Sequence, residues 1–201
     1  ESLGETVDDI LAGYAAHIAE AAPSLATNIY HGKVLTLADA VKLVTQREGF
    51  SLPVSDRVLP FTLARDVILE QPDALAVGTC PCRKIAAEPC LPPPQSVCLI
   101  LGEPFVAFVA EHNPSFRRVS QSEASEILHA AAERGDVHAG YFKKELGNRL
   151  FALCNCCRCC CLGVRMWNLL EGAVPFLAPS GYSCVVGETC DGCGSCVVDE
   201  A

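Results

Sequence analysis

Six of the eight residues from Cys154 to Cys161 are cysteines: Cys154, Cys156, Cys157, Cys159, Cys160 and Cys161. A small apolar core position is filled as well by alanine or valine, so sulfur at this density points to something that binds or oxidises it. Disulfides fit the spacing poorly. Neighbouring Cα atoms are about 3.8 Å apart, below the roughly 4.4–6.8 Å usual for a disulfide, which disfavours pairing Cys156 with Cys157, Cys159 with Cys160, or Cys160 with Cys161. The nearest upstream group, Cys80, Cys82, Cys90 and Cys98, offers four thiols for six. Metal ligation suits the run better. Cys154, Cys157 and Cys160 recur at three-residue steps, as do Cys156 and Cys159, and such a step in a turn or helix brings sulfurs to one face. Two interleaved registers predict two metal-facing sides.

A third group, Cys184, Cys190, Cys193 and Cys196, closes the sequence. The run Cys190-Asp191-Gly192-Cys193-Gly194-Ser195-Cys196 resembles, from Tyr182 onward, the cluster loop of bacterial ferredoxins. There, glycines let backbone N–H groups approach the sulfides and three cysteines hold three irons of a [4Fe-4S] cube. Ferredoxins continue with three residues and Cys-Pro, where this chain has Glu200. The resemblance therefore leaves the fourth ligand to Cys184 or to a thiol elsewhere, or implies a [3Fe-4S] cluster or an iron with an open position. The segments Cys80-Pro81-Cys82-Arg83 and Cys154–Cys161 look like those of ferredoxin-like iron–sulfur proteins from anaerobes. At four thiolates per cube, the fourteen cysteines suffice for two or three [4Fe-4S]-type clusters. The expected assignment is two in the centre of the chain, each drawing on both central groups, and one at the C-terminus. A larger, non-cubane cluster also explains ten clustered thiols, and tetrahedral zinc suits CxxC as well.

Arg83, Lys84, Arg158 and Arg165 lie beside these cysteines. Cations there would offset thiolate charge and raise a cluster's potential; the plainer reading is solvated surface. His138 is the histidine nearest in sequence to the cysteine run and reads as a satisfied core or surface residue rather than a ligand.

The elements that must position these residues show in the apolar periodicity. Val7, Ile10, Leu11, Tyr14 and Ile18 predict an amphipathic helix ending near Pro23. Lys33–Leu35 reads as a short strand, Thr36 as the cap of a helix from Leu37 to about Arg47, and Thr62–Glu70 as a third helix. Leu75–Val77 and Val97–Leu101 read as buried strands, the first leading into a loop at Gly78–Arg83. Pro104–Glu111 reads as a short helix, and Ser120-Gln121-Ser122-Glu123 is a capping box opening a longer one that stops at Gly135. Arg149–Leu153 reads as a strand entering the cysteine run and Val164–Leu170 as a helix leaving it. The expected fold is α+β: a mainly helical region over 1–72, a small mixed cysteine-rich domain over 73–174 and a ferredoxin-like module over 175–201.

Half the residues are apolar, so a core needs no disulfide staples. Cysteine is below the proportion typical of short disulfide scaffolds, and no apolar leader precedes the first helix, which together predict a reducing cytoplasm. No apolar run reaches the eighteen or so residues of a membrane span. A formal net charge of -9 disfavours nucleic acid, whose phosphates it would repel. Motifs for nucleotide binding and for the common hydrolases are absent. The leading expectation is an electron carrier that passes single electrons to a partner oxidoreductase. The alternatives are a reductase built on an incompletely ligated or non-cubane cluster, and a zinc-binding structural module.

Overall fold

The computed structural model describes residues 32–53, 66–69, 71–86, 88, 90, 95–143, 149–169, 177–178, 180–182 and 185–193. In chain order these form β1 (Gly32–Leu35), α1 (Leu37–Val44), β2 (Phe50–Pro53), β3 (Asp66–Leu69), β4 (Leu75–Thr79), α2 (Pro81–Ile85), β5 (Ser96–Leu101), α3 (Phe105–His112), β6 (Phe116–Arg118), α4 (Gln121–Glu133), β7 (Val137–Lys143), β8 (Arg149–Cys156), α5 (Leu162–Leu169) and β9 (Leu177–Ala178). The fold is α+β. Six strands in the order β6-β4-β5-β8-β7-β1 pair antiparallel, and β9 extends the sheet parallel to β1. Near the start of β8, β3 pairs parallel to it and carries β2 antiparallel on its other side.

β5 is an almost unbroken apolar run, as expected of a strand covered on both faces. On one face Leu75, Val77, Leu99, Leu101, Leu150 and Leu153 meet Ala40 and Val44 of α1 and Ala124 and Leu128 of α4. On the other, Ala76, Cys98, Ile100 and Ala152 meet Val106 of α3. The covering helices start where local chemistry sets them. Thr36 Oγ1 accepts the Asp39 N–H at 3.1 Å, and Ser120 Oγ accepts the Glu123 N–H at 3.2 Å, each satisfying a backbone donor that a helix leaves open. α4 ends in the left-handed turn of Gly135 (φ 78°), whose N–H bonds to Ala132 O. Leu128 is fully buried, so Leu128→Ala will cost the metal-free protein about 2–5 kcal/mol. The expected readout is a lower urea midpoint at unchanged slope.

Several expectations change. Residues 66–69 of the expected third helix form β3, held by pairing with β2; 62–65 lie outside the described residues. A short apolar run such as Val67-Ile68-Leu69 takes the conformation its partner strand offers. The helix expected around Val7–Ile18 also lies outside them. Within 1–72 the described residues hold one helix and three strands rather than a mainly helical unit. The sheet also runs across the expected domain limits, since β1 pairs with β7 and β9 with β1. The expected loop after β4 contains α2, with Pro81 at its first position, where a missing N–H costs nothing. No helix among the described residues is long and apolar enough to cross a membrane.

Candidate metal centre

Three strand ends bring the central cysteines together. β4 and β5 shift register at Gly78/Thr79, a bulge that re-aims the chain into Cys80 and α2. β5 starts at Ser96 and carries Cys98, while β8 runs antiparallel to it with Leu99 opposite Leu153. One step along that register Cys98 lies beside Cys154. Gly78 sits opposite Phe116 on β6, where a Cβ would come within 2.4 Å of the ring. Glycine lets Phe116 lie flat against β4 and form part of a cavity wall.

The ten central thiols separate into two groups. Cys90, Cys157, Cys159 and Cys160 have sulfurs all within 4.8 Å of one another. Four thiolates so placed can hold a metal ion, which a tetrahedral site keeps about 2.3 Å from each sulfur. Cys157 Sγ accepts the Cys160 N–H at 3.3 Å and Arg83 Nε at 3.4 Å. Arg83 is 1% exposed. Its Nη2 donates to Asp136 Oδ1 at 2.9 Å and to the Asn155 carbonyl at 3.2 Å, and Arg134 holds the other Asp136 oxygen at 2.9 Å. Burial opposes the charge on Arg83, but the Cys157 sulfur and the Asp136 carboxylate outweigh it and raise its pKa. Burial likewise opposes ionisation of Cys157, yet Arg83, the Cys160 N–H and the Cys90 thiol hold its pKa down to about 6.

None of the remaining six, Cys80, Cys82, Cys98, Cys154, Cys156 and Cys161, belongs to that quartet. All six line a cavity of about 540 Å³ whose apolar wall includes Ile100, Phe116, Tyr141 and Phe151. Hydrogen bonds from Cys154 and Cys161 hold the Cys156 pKa down to about 5. The Cys156 thiol in turn pushes Cys161 up to about 12. Burial, followed by the negative charge of Cys156 and Cys154, raises the Tyr141 phenol.

The sign of the pH dependence follows from the lowered pair. Folded pKa values near 5 and 6, against an ordinary thiol value of 9.0, mean that Cys156 and Cys157 stabilise the metal-free fold fully above pH 9. That contribution fades as pH falls from 9 through 6 and 5. The reduced, metal-free protein will already show thiolate absorbance rising between about pH 5 and 6. A single rise near pH 9 would contradict the assignment.

The observed division corrects the three-residue registers expected from sequence. Cys154 and Cys156 lie on β8, where period two puts them on one face, so Cys154 parts from Cys157 and Cys160, and Cys156 from Cys159. Each group draws on both central cysteine segments. Asn155 turns to the opposite face of β8. There its Nδ2 donates to Val97 O at 2.8 Å and its Oδ1 accepts His138 Nδ1–H at 2.7 Å, so His138 is a core residue with Nε2 unpartnered among the described residues. Of the nearby cations, Arg83 is buried against sulfur, Lys84 and Arg158 are exposed, and Arg165 is partly buried. Cys190 and Cys193 are exposed and lie outside any helix or strand, around Gly192 at φ 71°. The Cys193 N–H reaches Asp191 Oδ1 at 3.0 Å. Cys184 and Cys196 lie outside the described residues. Every described cysteine is a free thiol.

Asp136 and Tyr141 had no signal in the sequence; the pairing of β7 with β8 brings that segment to the site. Asn155 lies inside the cysteine run, but nothing in the sequence marks its role. No protein-family model, curated protein or solved structure matches this chain.

Proposed function

We propose that this chain is an iron–sulfur electron-transfer protein that passes single electrons to a partner oxidoreductase. One metal centre lies at Cys90, Cys157, Cys159 and Cys160, a second lies in the six-thiol cavity, and the C-terminal Cys190, Cys193 and Cys196, with Cys184 as the local fourth ligand, hold another. The observation that carries the reading is the buried Arg83 guanidinium held against the Cys157 sulfur of the quartet. Four thiolates give a bound cluster net negative charge, and Arg83, fixed by Asp136, offsets it in a region of low dielectric where the effect on potential is large. Iron and sulfide would supply one-electron chemistry; the chain's own residues hold the thiolates, exclude water and fix the local charge. The quartet and the cavity are adjacent, because Cys157 belongs to the first and also lines the second. That adjacency favours transfer between centres over two independent structural sites.

A single zinc ion at the quartet is the second reading, and the spacing favours it. Sulfurs within 4.8 Å suit one tetrahedral ion as they stand, whereas a cube sets its thiolates further apart. Cys90 and Cys159 are both exposed, which leaves them room to move outward around a cube. The protein purified without air will be brown and will contain iron and acid-labile sulfide in equal amounts, with a paramagnetic signal on reduction. A colourless protein with stoichiometric zinc, or with no metal, overturns the proposal.

A further inference from the structure

We propose that Cys80, Cys82, Cys161, Cys156, Cys154 and Cys98 together hold one polynuclear iron–sulfide centre that takes more than four thiolate ligands, separate from the quartet. The inference rests on the iron–sulfur reading above and deepens it by naming the ligand set and size of the second centre. All six line the same cavity, Cys98 and Cys154 from neighbouring positions of β5 and β8, and Cys154 and Cys156 from one face of β8. A four-thiolate cube in that cavity would leave two of them in its wall with nothing to bind. None of the six belongs to the quartet.

Charge leads to the same place. Ionising six thiols as ligands in a largely buried wall takes cations, because an uncompensated buried charge is expensive. The cavity lining offers two. Arg83 is committed to Asp136, the Asn155 carbonyl and Cys157, and Lys84 is exposed. Several metal ions bound together would supply the remaining positive charge. Space permits this: about 540 Å³ lies in the range of cavities that enclose whole small molecules, and the apolar wall of Ile100, Phe116 and Phe151 shields such a centre from water.

The test uses the full chain with Cys90→Ser, Cys159→Ser, Cys190→Ser and Cys193→Ser, four exposed positions, loaded with ferrous iron and sulfide without air. Circular dichroism matching the parent confirms that the background is folded. It is expected to retain more iron than the roughly four of a single cube, with a matching amount of sulfide. Adding Cys80→Ser and Cys98→Ser should then remove about half of that iron or more. Retention of about four irons or fewer by the background overturns the inference. So does iron content unchanged by these two substitutions, since the four remaining thiols would then suffice for a cube. If the parent takes up iron and the background takes up none, this inference alone falls; if the parent takes up none, the iron–sulfur reading falls with it.

Discussion

Arg83→Met will cost the metal-free protein about 3 kcal/mol, at the lower end of what breaking a buried ion pair costs, and will return Cys157 to the protonated form at neutral pH. Both effects come from one guanidinium. Arg83 is 1% exposed and is the inner of the two arginines on Asp136. Removing it leaves the carboxylate to Arg134 alone, which keeps the cost from the top of the range. The Asn155 carbonyl loses a donor at the same time. At Cys157 the charge opposing burial disappears, so a pKa now held near 6 moves up and the lower-affinity thiol form dominates at pH 7. Metal binding to the variant must then release one more proton than binding to the parent, a difference that titration calorimetry in two buffers of different ionisation heat will read. An unchanged urea midpoint together with an unchanged proton count would show that Arg83 is not coupled to the sulfur.

Cys157→Ser will weaken metal binding at the quartet by more than about a hundredfold, since even partners one shell out are worth 10–100-fold. Cys157 is the least exposed of the four after Cys160, accepts two of the hydrogen bonds that fix the site and is the member with a lowered pKa. Its loss removes a ligand and the anchor of the turn together. Cys90→Ser also removes one ligand, but at an exposed position outside that turn, and its effect will be smaller. Competition against a chromophoric chelator measures both. Equal losses for the two variants would mean that Cys157 acts as a ligand only.

The elements set by local chemistry were legible in the sequence. The Thr36 and Ser120 caps, the stop at Gly135 and the apolar runs of β4, β5 and β8 all appear where the residues place them. β7 was not legible. Val137-His138-Ala139-Gly140-Tyr141-Phe142-Lys143 has weak alternation and a central glycine, and only its neighbours on both sides make it a strand. That omission hid Asp136 and Tyr141 from any account of the site. Number and spacing mark the cysteines as candidate ligands, and four of them do converge, but their grouping was not legible. A helical or turn period was assumed across Cys154–Cys161, whereas the chain leaves β8 only after Cys156, so the period changes within the run.

The wall of six sulfurs joins two stretches that are far apart along the chain. Cys80, Cys82 and Cys98 emerge from the ribosome well before Cys154, Cys156 and Cys161, and the two halves meet only when β5 finds β8. Such long-range pairing forms late in folding. A nascent chain therefore presents half a cavity, and under the proposed function metal could fill it only after β5 and β8 have paired.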